Sequence, residues 1–309
     1  MTSGDLVTSI PVLTIGLPVF NGERGLAASL DRLLAQTFTD FTLVISDNGS
    51  TDRTAEICAE YMERDGRIRY FRHEKTIPWN ENFRFALMQA KSPYFMWATH
   101  DDVWFPRFAE ANIAKLEANR TAVCSVSKIM YVTAEGHRIE AADTGALTGS
   151  PAERLKRFFL VIGNCGRFYG VYRTEALKAS FPPDMHIYAL DWLVVALTLI
   201  DGDHLEVDEL LLERGAQPKD YYLQRLGRID GFEPQRLDRI VPLHCFNAAL
   251  RSRVPGTVWT EIRLALGYLN MRQIVAMLEY RMPWLSVISH PFRNLVAHLF
   301  HRRWRREVG

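Results

Sequence analysis

The sequence predicts an α/β fold, a sheet flanked by helices, followed by a helical C-terminal region. Three observations carry this reading. Short apolar runs alternate with segments of helical spacing between residues 12 and 117. A polar turn cluster follows each of several apolar runs. From about residue 217 the spacing is helical throughout, with breaks at Pro234, Pro242, Pro255, Pro283 and Pro291.

The elements follow in order. Residues 12–17 (VLTIGL) read as a buried parallel strand that ends at Pro18. Leu26, Leu30, Leu33 and Leu34 share one face of a helix. FTLVIS at 41–46 is a second strand, and DNGSTD at 47–52 is a turn rich in helix-capping residues. A helix runs through Ala55, Ile57, Tyr61 and Met62 and ends at Gly66. IRYF at 68–71 is a strand, 80–90 a helix, YFMWAT at 94–99 a strand and 106–117 a helix. Beyond these, VCSVSKIMYV at 123–132 reads as a pair of strands, 145–150 as a loop, and GNCGRFYGVY at 163–172 as a glycine-rich turn leading into a strand. Residues 188–200 are helical, with 192–200 apolar enough for a buried helix.

Composition narrows the function classes. The chain has 309 residues, 48% hydrophobic and 24% charged, which suits a globular protein. A net charge of +1 excludes a general polyanion binder. Cys58, Cys124, Cys165 and Cys245 form no CxxC pair and no zinc spacing, so they read as reduced, mostly buried thiols of a cytosolic chain. The first nine residues lack a signal peptide's apolar core, and no run reaches the roughly 18 apolar residues of a membrane span. His73, His137, His186, His204 and His244 show no metal-ligand spacing.

Ligands of such sheets bind beyond the C-terminal ends of the strands. Those ends hold residues 18–23, 47–52 and 100–102, so three separate clusters converge on one edge. His100-Asp101-Asp102 sets two carboxylates directly after an apolar strand, which is costly unless a cation or hydrogen-bond donors compensate. A divalent cation with oxygen ligands fits, and a solvated turn capping the next helix is the plainer alternative. Asp47 can accept from a nucleobase N–H or close an Asx turn at the following helix. Pro18-Val19-Phe20-Asn21-Gly22 can bend the backbone against a flat base, with Phe20 stacking on it, or can be a strand-to-helix turn alone.

Taken together these segments resemble glycosyltransferase family 2, whose fold is called GT-A. LTIGLPVFNGERGLAASLDRLLAQTFTDFTLVISDNGSTDRT is similar to the family's opening strand, helix and DDGS-type turn. IPWNENFRFALMQAKSPYFMWATHDD is similar to the approach to its DXD-type metal motif. The close match covers residues 12–110, and a looser one continues to about 215. The resemblance implies a GT-A domain over 1–216, with a mixed sheet, and a helical region over 217–309. It also implies a nucleotide-sugar donor, UDP-linked in the commonest case, and Mn²⁺ or Mg²⁺. Pro18, Val19, Phe20 and Glu23 would line the base and ribose pocket, and Asp47 would receive the base N–H. Asn82 and Arg84 would border the nucleotide. Asp101 would face ribose or metal, and Asp102 would hold the metal. His100 stands at the first DXD carboxylate position, and Asn48 stands where a second Asp is common. Asp191 matches the family's general base, and Arg214 stands near a place where members carry a diphosphate-contacting basic residue. The reaction implied is sugar transfer with inversion to a saccharide or lipid-linked acceptor, as in bacterial envelope or extracellular polysaccharide synthesis.

Residues 281–309 interleave six arginines (281, 293, 302, 303, 305 and 306) with Trp284, Phe292, Phe300 and Trp304. This suits contact with an anionic membrane surface from the cytoplasmic side, or a packed helix with a solvated basic tail. No RNA-binding motif accompanies it, so no nucleic-acid partner is expected. The helical end can also build an interface between copies of the chain. Two other classes share some of these features. One is a nucleotide-using transferase of another kind, but the chain lacks a P-loop lysine and a GxGxxG. The other is an inactive family member serving as a scaffold, which the presence of Asp101, Asp102 and Asp191 disfavours.

Overall fold

The computed structural model describes residues 10–183, 185–216, 240–287 and 289. The breaks expected at Pro234 and Pro291 and most of the basic C-terminal segment lie outside the described residues. One sheet of nine strands runs through the molecule in the order β3-β2-β1-β4-β8-β6-β9-β5, with β7 paired to β6. Its first four strands are β1 (Leu13–Val19), β2 (Phe41–Asp47), β3 (Ile68–Arg72) and β4 (Tyr94–Trp97). They are mutually parallel. The short β8 (Val171–Arg173) runs antiparallel to both β4 and β6 (Ala122–Val132), which makes the sheet mixed. The long β9 (Asp203–Gly215) pairs parallel to β6, and β5 (Val103–Trp104) pairs antiparallel to β9. The outlying strand β7 spans Arg138–Glu140.

Helices cover both faces, which is why β1 and β2 are almost continuously apolar and buried. Under one face lie α1 (Leu26–Leu34), α2 (Thr54–Arg64) and α4 (Phe108–Glu117), with Leu26, Leu30, Tyr61 and Phe108 in a core with Leu13 and Ile45. Under the other lie α3 (Trp79–Met88), α5 (Pro151–Val161), α6 (Thr174–Ser180) and α7 (Leu190–Asp201). Trp97 stacks on Phe168 there, ring centroids 4.3 Å apart and planes 4° from parallel. Residues 192–199 of α7 are all buried, as their uniform apolarity requires. After Pro242 come α8 (His244–Arg253) and α9 (Gly256–Arg281), separated at Pro255. Phe246, Leu250, Ile262 and Leu266 join the core of α7, so these helices do not enclose a core of their own.

Two expectations need correction. The first strand does not stop at Pro18 but runs on to Val19. Pro18 points its missing N–H to the β4 side, as Gly16 does, and β4 has already ended at Trp97, so no ladder bond is lost. Residues 122–132 form one strand, not two. They contain no Gly, Pro, Asn or Asp, and bulges in the pairing with β9 absorb the irregular spacing instead. All four cysteines are free, three of them buried. Burial pushes the Cys58 and Cys124 thiols up to about 12. Among the described residues, no helix is long and apolar enough to cross a membrane.

Candidate active site

The three polar clusters sit at the C-terminal ends of β2, β1 and β4, which are neighbours in the sheet. The chain crosses from one side of β1 to the other between β2 and β4, which is where open sheets form a crevice. Hydrogen bonds join the first two turns. Asn21 adopts a left-handed conformation, φ 50°, that asparagine tolerates. Its Oδ1 accepts the Thr51 N–H at 2.9 Å, and its own N–H goes to Ser50 Oγ at 2.9 Å. Gly22 N–H donates to Thr54 Oγ1, and Glu23 N–H donates to Asp52 Oδ2. The third turn is packed against the first. A Cβ on Gly25 would come within 2.6 Å of the His100 carbonyl oxygen. Gly25→Ala must therefore displace backbone at the turn that carries Asp101, and a cost of about 1–3 kcal/mol is expected in urea unfolding.

On the base side the sequence expectations are partly redrawn. Pro18 and Val19 are buried within the sheet, so of that strand end only Phe20 presents an open face, at 47% exposure. Glu23 is exposed, but its carboxylate accepts the Arg53 N–H at 3.2 Å, at the start of α2. Asp47 is fully buried. Its Oδ1 accepts from Ser50 N–H at 2.8 Å, its Oδ2 accepts from Tyr70 Oη at 2.6 Å, and the Arg72 Nε lies 3.7 Å away. Its carboxylate therefore closes the Asx turn and anchors Tyr70. Asn48 exchanges two hydrogen bonds with the Ile77 backbone. Asn82 accepts from Ser46 Oγ at 2.6 Å, and the His73 Nε2 lies 3.1 Å from the same Oδ1. Arg84 sits on the same helix, half-buried, with its Nε enclosed and unpartnered. No motif marks Tyr70 or His73, because they meet Asp47 and Asn82 only once β2, β3 and α3 are packed together.

On the β4 side the two aspartates diverge. Asp101 is exposed, whereas Asp102 is 2% exposed. Asp102 Oδ2 accepts from Thr99 Oγ1 at 2.5 Å and from Arg214 Nε at 2.8 Å. The Arg214 guanidinium lies 3.5 Å over the Tyr169 ring. Burial pushes the Asp102 carboxyl up, and Arg214 pulls it back. Burial also disfavours the Arg214 cation, yet the Asp102 carboxylate beside it holds its pKa well above the ordinary value. A charged pair results. Arg214 thus gives its Nε edge to Asp102 and its flat face to Tyr169.

Asp191 lies in the first turn of α7, half-exposed, where the helix dipole favours a negative charge. Left-handed residues Cys165 and Ala189 shape the approach to it. Burial pushes the Tyr169 hydroxyl up to about 12, Arg214 opposes this, and the charges of Asp102 and Asp191 both add to it. Tyr169 thus feels both carboxylates, and it carries the Arg214 guanidinium on its ring.

The donor set suits a hard cation in part. Asp101 offers an exposed carboxylate beside a charge-compensated one. Among the described residues there is no group of three or more His, Cys, Asp or Glu side chains that could enclose a metal. Such a turn fits Mg²⁺ or Mn²⁺, which take one or two carboxylates and complete their shell with phosphate oxygens and water.

Comparisons with known proteins bear on the family and the fold. The model of the family described as glycosyl transferase family 2 matches residues 14–181, more than half of the chain. An uncharacterized glycosyltransferase of Rickettsia bellii is 31% identical over 108 residues, which are 35% of this chain and 15% of that protein. The chain spans about a third or less of such Rickettsia relatives. Staphylococcus aureus TarS 1–349, solved in complex with UDP-GlcNAc, superposes with a TM-score of 0.54 at 16% identity, covering 88% of this chain and 92% of that one. The mannosyltransferase PcManGT of Pyrobaculum calidifontis, solved with GDP-Man and Mn²⁺, superposes with a TM-score of 0.58 at 15% identity, covering 97% and 81%. The fold of these two neighbours, the three strand-end turns and the family match together make the chain a member of glycosyltransferase family 2, a family of enzymes built on the GT-A fold.

Proposed function

We propose that this protein is a cation-dependent, inverting glycosyltransferase that moves a sugar from a nucleoside diphosphate, UDP in the first instance, to a hydroxyl of a saccharide or lipid-linked acceptor. The observation that carries this reading is that the turns after β1, β2 and β4 adjoin at the sheet's switch point, with Asp101 exposed and Asp102 buried in the third of them. The ligands with which TarS and PcManGT were solved, UDP-GlcNAc and GDP-Man, support a nucleotide-sugar donor.

In this mechanism Phe20 stacks on the base, and Asn82 and Arg84 border the nucleotide. Asp47 acts through Tyr70 and the turn it closes, and Glu23 fixes the start of α2. Asp101 is the carboxylate turned to the cation, and Asp102 supports that turn. A bound Mn²⁺ or Mg²⁺ would neutralise the charge that develops on the diphosphate. Asp191 takes the proton of the acceptor hydroxyl. The hydroxyl oxygen bonds to the anomeric carbon from the face opposite the diphosphate. The bond from that carbon to the diphosphate oxygen breaks, its electron pair leaves with the diphosphate, and the configuration inverts.

An acceptor in envelope polysaccharide synthesis agrees with the C-terminal end. Tyr280, Met282, Trp284 and Val287 are exposed beside Arg281, and five further arginines follow in sequence. Apolar and basic residues combined in this way favour peripheral contact with the inner, anionic leaflet.

A thermal-shift screen of UDP, GDP and dTDP, each with and without Mn²⁺, tests the reading. A ligand at 100 times its Kd stabilises the native state by about 2.7 kcal/mol. One nucleotide is expected to raise the melting temperature, and to raise it further with Mn²⁺. No shift with any nucleotide, in Mn²⁺ and with anionic vesicles present, would overturn the proposal and favour a scaffold role.

A further inference from the structure

Arg214 is the penultimate residue of β9, and the sheet is built so that it meets Asp102. The antiparallel register of β5 pairs Val103 with Glu213 and Trp104 with Leu212. Continued by one residue, that register sets Asp102 opposite Arg214. β5 is only two residues long, and this pairing ties the chain immediately after Asp102 to β9. Arg214 uses both of its recognition surfaces there. Its Nε edge donates to Asp102 Oδ2 at 2.8 Å, and its flat face lies 3.5 Å over the Tyr169 ring. Its side chain is 12% exposed. Lysine could not reproduce this, since a point charge has no planar face and no fixed fork.

Asp102 in turn closes the turn from the inside. Thr99 Oγ1 donates to the same Oδ2 that Arg214 holds, so residues 99–102 form a small ring of contacts with Asp101 on its outer side. Resting on the nucleotide-and-cation reading above, we infer that Arg214 is a positioning residue. Held by Tyr169 and β5, it fixes the 99–102 turn through Asp102 and so presents Asp101 to the cation on the nucleotide. It is a strut within the protein and not a clamp on the diphosphate. Outer residues that orient a metal ligand commonly account for about 10–100-fold in metal affinity.

Calorimetric titration of UDP and GDP, each in excess Mn²⁺ and each in EDTA, separates the two roles. The wild-type protein measures the functional reading on its own. If neither nucleotide binds, or Mn²⁺ adds nothing, that reading fails and the inference fails with it. Where Mn²⁺ strengthens wild-type binding, Arg214→Met is expected to remove most of that gain, about 10-fold or more. Binding in EDTA is expected to remain at the wild-type level. Equal losses in Mn²⁺ and EDTA would mark Arg214 as a diphosphate contact and overturn the inference. So would an unchanged or larger Mn²⁺ gain, because freeing Asp102 would then have produced a better ligand.

Three further variants complete the test. Arg214→Met with Asp102→Asn leaves no stranded buried charge, and it should fold while still lacking the Mn²⁺ gain. Tyr169→Phe keeps the ring beneath the guanidinium and should keep the gain, whereas Tyr169→Leu should lose it. A Tyr169→Leu variant with the full gain would overturn the stacking half of the inference.

Discussion

Replacement of Asp191 by Asn is expected to lower turnover at saturating donor by about 10²–10⁴-fold, the usual contribution of a positioned general base. The amide has the size of the carboxylate but cannot take the acceptor proton. Binding of nucleotide with Mn²⁺ should be unchanged, because Asp191 lies on α7 while the expected nucleotide contacts lie at the strand ends. Steady-state rates set beside nucleotide calorimetry check both parts. A loss of less than tenfold would mean that the proton goes to another group.

The second large effect concerns stability, and it separates two adjacent carboxylates. Asp102→Ala leaves the Arg214 guanidinium enclosed without its anion, and breaking a buried pair in this way costs about 3–5 kcal/mol. Asp101→Ala removes an exposed side chain, and a change within about 0.5 kcal/mol is expected. Ligand response should run the other way. Asp101→Ala should keep its melting temperature and lose the Mn²⁺-dependent shift, which makes it the cleaner probe of the cation. Urea unfolding of the two variants in parallel reads the difference. Similar stabilities would mean that the Asp102–Arg214 contact contributes no more than a surface pair.

The parallel half of the fold was legible because its strands are buried on both faces and its turns are made of residues that turn chains. VLTIGL, FTLVIS and YFMWAT each lie within two residues of the observed strand ends. The antiparallel half was less so. β9 has a bulged pairing with β6, so its buried positions fall at irregular spacing and no period of two survives in DHLEVDELLLERG. β5 is two residues long and has no pattern at all. The start of α5 was available: Ser150, Pro151 and Glu153 form a capping box that the structure contains. In the site, the strand-end clusters could be placed from the strand order, but the partners of each carboxylate could not. Asp47 finds Tyr70 and Asp102 finds Arg214 through the sheet. Motif resemblance does not show that both aspartates are buried and hydrogen-bonded within the protein.

The pairing of β5 with β9 also has a bearing on the order of assembly. Asp102 and Arg214 are separated by 112 positions, and the strand carrying Arg214 completes the sheet's far edge. As the chain grows from its N-terminus, β1 to β4 have their neighbours long before β9 exists. In that interval Asp102 has Thr99 but lacks its counter-charge, and the turn that presents Asp101 is open to water. Contacts so distant along the chain close late and slowly. The arrangement of the turn that carries Asp101 is therefore the last feature of the N-terminal half to settle, and it waits for a strand synthesised about a hundred residues later.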